Sequence, residues 1–112
     1  MIKRIEPGKR FCKAVVVNGI VTTAGVTGEG ADATAQTRDI LNQIDGLLAK
    51  AGTSKAKLLS ANIWLRDIAH FAQMNDVWDK WVDPDNLPVR ATVEARLATP
   101  ELLVEIQVTA LV

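Results

Sequence analysis

Cysteine and histidine are almost missing from this chain, with Cys12 and His70 the only one of each. A lone cysteine rules out an internal disulfide and a cysteine-rich zinc cage within one chain, and with a single histidine beside it no zinc site is expected. Net charge is missing too: thirteen Lys and Arg balance thirteen Asp and Glu, and neither sign forms a block. That excludes the footprint of a nucleic-acid binder or of a protein held on an anionic membrane. No apolar run approaches the roughly 20 residues that span a bilayer, and Met1 to Gly8 lacks the apolar core of a signal peptide, so a cytoplasmic location is expected. What remains is 112 residues, 48% of them hydrophobic. That is enough for one core, and residues 1–112 are expected to form a single domain.

Punctuation and period give the organisation. Phe11 to Val17 and Ile20 to Ala24 are β-rich runs joined by Asn18-Gly19, the dipeptide best suited to a type I′ hairpin. Gly25 to Gly30 reads as a loop without the Lys-Ser/Thr of a phosphate loop. A helix follows, capped by Asp32 or Thr34, with Ile40, Leu41, Ile44, Leu47 and Leu48 at helical spacing and Gly52 at its end. Leu58 to Leu65 alternates, with Leu59, Ala61, Ile63 and Leu65 on one face and Ser60, Asn62 and Trp64 on the other. Asp67 is expected to cap a second helix, lined by Phe71, Met74, Trp78, Trp81 and Val82 and stopped by Asp83 to Pro88. With a short first strand from Ile2 to Ile5, the order is β, β, β, α, β, α, β, β. The expected fold is α/β (α+β): a mixed sheet of about six strands with two helices on one face.

The last quarter carries the chemistry. Arg90 opens one alternating run, and Glu105 sits inside the next, where a solvated carboxylate would be easier to place near a turn. Alternation puts Ala91, Val93 and Ala95 opposite Arg90, Thr92, Glu94 and Arg96, and Val104, Ile106 and Val108 opposite Glu105, Gln107 and Thr109. The polar set is expected to turn away from the helices. Trp64 on that face and the apolar C-terminal run suggest that a second subunit covers part of it. A small anionic ligand at the interface suits this pattern. So does a structural ion pair between Arg90 and Glu105, and pattern alone does not choose between them. Cys12 reads as a small core side chain and His70 as a surface residue in the first turn of a helix. Trp78 and Trp81 suit packing better than base stacking.

Arg10-Phe-Cys-Lys-Ala-Val with Asn18-Gly19 and Thr23-Ala-Gly25, Gln36-Thr37, Phe71-Ala-Gln-Met-Asn75, Pro88-Val-Arg90-Ala-Thr-Val-Glu94 and Val104-Glu105-Ile together resemble the Rid family of YjgF-like reactive-intermediate (imine) deaminases. The resemblance runs along the whole chain and rests on the order and spacing of short motifs, above all the separation of Arg90 from Glu105. It implies a chorismate-mutase-like fold, a homotrimer with sites at subunit interfaces, and cofactor-free hydrolysis of 2-imino acids to 2-oxo acids and ammonia. Arg90 matches the arginine that holds the substrate carboxylate, which suits the two-pronged donor geometry of guanidinium. Glu105 matches the glutamate that orients water and accepts its proton. Asn75 and Gly25 match residues at the site margin, where a glycine lets backbone approach the ligand. Phe11 replaces a common tyrosine and so lacks a hydroxyl, while Cys12 and Thr92 stand where serine and cysteine are common. These departures mark a divergent subfamily. Two functions follow, a 2-imino acid deaminase or a non-catalytic trimer that binds small carboxylates, while no residue set supports an isomerase.

Overall fold

The computed structural model describes residues 1–112. Strands β1 (Lys3–Pro7), β2 (Cys12–Val17), β3 (Ile20–Thr23) and β4 (Val26–Thr27) precede helix α1 (Ala33–Ala51); β5 (Leu58–Leu65), helix α2 (Phe71–Trp81), β6 (Val89–Glu94) and β7 (Val104–Leu111) follow. They form one mixed sheet in the order β1-β2-β3-β7-β5-β6, with β4 also paired to β7. The fold class and the two helices agree with the expectation. The first strand runs further than Ile2 to Ile5, and a seventh strand, β4, lies within the stretch expected to be only a loop.

Local chemistry explains the boundaries. Asn18 and Gly19 hold φ of 53° and 76°, as a type I′ turn requires. The Asp32 side chain accepts from the Ala35 N–H at 2.8 Å and so caps α1. At the other end Gly52 takes a φ of 86°, its N–H bonds to the Ala49 carbonyl, and the Thr53 N–H bonds to that of Leu48. This is the Schellman pattern, which favours glycine. Asp67 caps a 3-10 turn over Ile68–His70, and α2 begins only at Phe71.

One face of the sheet packs on both helices. Ile40, Leu41, Ile44 and Leu48 from α1 and Met74 from α2 meet Ala61, Ile63, Leu65, Val104, Ile106 and Val108. Each large apolar side chain so buried contributes about 1.5–3 kcal/mol relative to exposure. Trp81 joins the helices through an Nε1–H bond to the Asp45 carboxylate at 3.0 Å. In β5 a register shift between Leu58 and Ser60 buries Leu58 and turns Leu59 outward, against the expected alternation.

The largest correction concerns β6. Its register pairs Arg90 with Ala61 and Thr92 with Ile63, both buried under the helices. Arg90, Thr92 and Glu94 therefore point toward the helix layer, not away from it, and the apolar set faces outward, with Val89 72% and Val93 50% exposed. The reason lies in the position of β6 at the sheet edge, where α2 presents aromatic side chains and the 3-10 turn before it a backbone donor. The Arg90 guanidinium lies on two of those rings, and the Glu94 carboxylate accepts from the Ile68 N–H at 3.0 Å.

Gln36, buried on α1, ties down the loop before β7: its amide donates to the Gly30 and Glu101 carbonyls and accepts from the Leu103 N–H. Gln36→Leu keeps the volume and strands these groups, so it should cost about 2–3 kcal/mol in denaturant unfolding at fixed protein concentration. The loop after α2 makes a second prediction. The side-chain amide of Asn86 and the backbone N–H of Asp85 hold the Asp83 carboxyl below its ordinary range. The contribution of this group to the loop is thus present above the ordinary carboxylate pKa and lost as pH falls through the lowered value. Carboxyl NMR titration should show Asp83 titrating low, and Asn86→Ala should return it toward normal.

Candidate functional site

The six residues expected at a site fall into two groups of three. Arg90 and Thr92 on β6 face α2, which carries Asn75. Four residues before Asn75 stands Phe71, and three after it Trp78, so all three share one helix face. The Arg90 guanidinium lies 5.8 Å from the Phe71 ring centroid and 5.3 Å from that of Trp78. Each contact contributes about 0.5–2 kcal/mol depending on solvent exposure. The two rings lie beside the guanidinium carbon and offer its N–H groups no acceptor, which leaves those donors for an anion such as a carboxylate.

No carboxylate of the chain supplies that anion. The single ion pair joins Lys50 to Glu6 at 2.7 Å, far along the chain from Arg90. On β6, α2 and the turn before it polar groups are also unmatched: Thr92 Oγ1, Asn75 Oδ1 and His70 Nδ1 are buried without hydrogen-bond partners. A buried polar atom left so costs about 1–3 kcal/mol, which a ligand or a second subunit would offset.

Glu105 belongs to the other group. It pairs with Trp64 on β5 and Thr27 on β4 and lies on the sheet face away from the helices, since its neighbours Val104 and Ile106 fill the core. Between β3 and β4 the chain bows away from β7, and there the Thr23 hydroxyl accepts from the Val108 N–H while its carbonyl accepts from the Gln107 side chain. Gly25 sits in this bow. A Cβ added to it would overlap Glu105 Oε2 and come within 3.0 Å of Glu105 Cδ. The missing side chain is thus what makes room for the carboxylate, a reason the sequence does not display. Phe11, 60% exposed, lies on this side beside a cleft of about 450 Å³ that also takes in Arg4, Arg10 and Ala24.

Within one chain, then, Arg90, Thr92 and Asn75 share the helix side of the sheet and Glu105 with Gly25 the other, while Phe11 lines a cleft that reaches Ala24 but neither Gly25 nor Glu105. An intrachain Arg90–Glu105 ion pair is absent. Sequence reasoning placed Phe71 and Trp78 only in packing and missed them as the bed of Arg90. Their spacing around Asn75 was the available signal. It also left His70 on the surface, and nothing in the sequence shows that its Nδ1 is buried. No group of three or more His, Cys, Asp or Glu side chains is arranged to hold a metal, and no helix is long and apolar enough to cross a membrane.

The family described as "Endoribonuclease L-PSP" matches residues 1–112. A "RutC family protein" of Haemophilus ducreyi is 46% identical over 112 residues, covering 98% of this chain and 96% of the relative. The crystal structure of NMB1025 from Neisseria meningitidis, described as a member of the YjgF protein family, superposes with a TM-score of 0.98 at 46% identity, over 99% of this chain and 94% of that one. The "3-aminoacrylate deaminase RutC" of Acinetobacter baylyi is 37% identical over 75 residues, which is 67% of this chain and 59% of that protein.

The Gly25 geometry is directly testable. Gly25→Ala should leave stability within about 1 kcal/mol of the parent, because Glu105 is the end of a flexible side chain and can move aside. The Glu105 carboxyl resonance, followed by NMR, should shift strongly. An unmoved resonance would show that the two positions do not compete for space.

Proposed function

The chain belongs to the endoribonuclease L-PSP family of YjgF, RutC and Rid proteins, and from that premise we propose that it hydrolyses reactive 2-imino acids to 2-oxo acids and ammonia, in sites formed between the subunits of a homotrimer. The observation that carries the reading is the unpaired Arg90 guanidinium, held over two aromatic rings with no acidic partner in its own chain. It suits a substrate carboxylate. A relative bearing the name 3-aminoacrylate deaminase supports the reaction class. A formal net charge of zero supports a small substrate over a polyanion such as RNA.

In this reading Arg90 of one subunit binds the carboxylate with its edge N–H groups and turns the C=N carbon toward Glu105 of the next. Water held by Glu105 adds its oxygen to the protonated imine carbon as the carboxylate takes one water proton. The carbinolamine that results receives this proton on nitrogen. Loss of ammonia then forms the C=O bond, and the hydroxyl proton passes to Glu105 and on to solvent. The protonated imine is electrophilic enough that the scheme invokes no metal or organic cofactor. The outward apolar side chains Ile20, Val89, Val93 and Leu111 support a subunit packed on the Glu105 face.

A second reading, a trimer that binds small carboxylates without turnover, is favoured by one residue. Phe11 offers no hydroxyl to the substrate. Generating 2-imino acids in situ with an amino-acid oxidase and following 2-oxo acid release separates the two. Arg90→Ala should lower both carboxylate binding and rate, the rate by about 100-fold or more. Glu105→Ala should retain binding and lose about 100–10,000-fold in rate. Phe11→Tyr should raise the rate. No acceleration by the parent chain across small and bulky imines would leave only the binding reading.

A further inference from the structure

The seam between β6 and α2 continues past Arg90. Along β6 the side chains of Arg90, Thr92 and Glu94 all face the helix layer, and the two ends of the row are fixed. Arg90 lies on Phe71 and Trp78, while Glu94 accepts from the Ile68 N–H at 3.0 Å. Thr92 lies between them, in the stretch of seam that the first turn of α2 and His70, just before it, close from the other side. The elements on either side carry the chain's three buried and unpartnered side-chain atoms, Thr92 Oγ1 on β6, Asn75 Oδ1 on α2 and His70 Nδ1 just before it. At its His70 end a cleft of about 700 Å³ opens, with Arg66, Asp67, Glu94 and Arg96 on its walls.

We propose that this seam is a subsite for the side chain of the substrate, that it takes a neutral group able both to donate and to accept hydrogen bonds, an amide being the best match, and that His70 determines this specificity. The inference rests on the 2-imino acid reading for the position of the carboxylate on Arg90. Its chemistry comes from the three atoms. Asn75 Oδ1 only accepts, whereas a hydroxyl and an imidazole nitrogen can donate or accept. A carboxylate would leave the Asn75 acceptor unmet, and an alkyl group would leave all three unmet. The charges around the cleft cancel: Arg66 and Arg96 face Asp67 and Glu94. Three of the four are already engaged, Arg66 with the Thr99 carbonyl, Asp67 with the Ala69 N–H and Glu94 with the Ile68 N–H. The wall therefore offers no net attraction to a second ionic group.

Asparagine and leucine side chains have the same shape and differ in hydrogen bonding. Calorimetry with the corresponding 2-oxo acids, 2-oxosuccinamate and 4-methyl-2-oxopentanoate, should show the amide binding about tenfold or more tighter, the discrimination expected where buried polar groups go unpaired. His70→Phe should bring the ratio close to one. His70→Asn, which restores a polar atom near the position of Nδ1, should keep most of it. Equal affinity for the two acids, an unchanged ratio in His70→Phe, or tighter binding of the dicarboxylate 2-oxosuccinate would overturn the proposal. The same comparison on the imines of asparagine and leucine reads turnover. If neither imine is hydrolysed while the binding ratio holds, the deaminase reading fails and the subsite stands.

Discussion

Everything about this site depends on the register of the central strand. β7 lies between β5 on one side and β3 and β4 on the other. Once Val104, Ile106 and Val108 are committed to the core, the period of two sends Glu105 to the opposite face. The same register, carried through β5, places Arg90 level with Ala61 and under the helices. A slip of one residue in either strand would exchange these faces at the cost of a row of buried side chains, each contributing about 1.5–3 kcal/mol. Hydrophobic burial therefore holds the guanidinium and the carboxylate on opposite sides of one sheet. The proposed reaction joins them through a second copy.

Each half is supported by means suited to its charge. A half-buried guanidinium with no counter-charge is tolerable because it lies over two aromatic rings. Glu105 has no such bed, and its place is made by absence, in the bow between β3 and β4 where Gly25 has no side chain to occupy the space. The core face of the sheet is finished within the chain. Its outer face is not, since Ile20, Val89, Val93 and Leu111 remain exposed there. Apolar surface of this kind and a polar site divided between two faces are what the proposed symmetric assembly would cover and join.

Much of this was legible in the chain, because local chemistry decided it. Asn18-Gly19, Asp32 and Gly52 each satisfy a backbone requirement within a few residues of themselves, and the structure uses all three. The period of β7 likewise named its buried face. Alternation distinguishes two faces of a strand, however, without saying which one meets the helices. β6 shows the consequence: its apolar residues suggested Val93 as core, whereas an edge strand beside aromatic side chains turns Arg90 inward and leaves Val93 outside. The bed of Phe71 and Trp78 beneath Arg90, the Gly25–Glu105 approach and the buried Nδ1 of His70 are tertiary contacts that no window of sequence displays. Family resemblance named Arg90 and Glu105 without revealing that one chain keeps them apart.

The claim that the site is completed by two chains can be tested by complementation. Arg90→Ala and Glu105→Ala, each inactive alone, are co-expressed so that subunits mix, and hydrolysis of a 2-imino acid is compared with that of the parent. If every site draws its arginine from one subunit and its glutamate from the next, random mixing leaves both groups intact in about a quarter of the sites, and about a quarter of the parent activity should return. Mixed assemblies with no activity, beside an active parent, would contradict the account and place both groups of each site in a single chain.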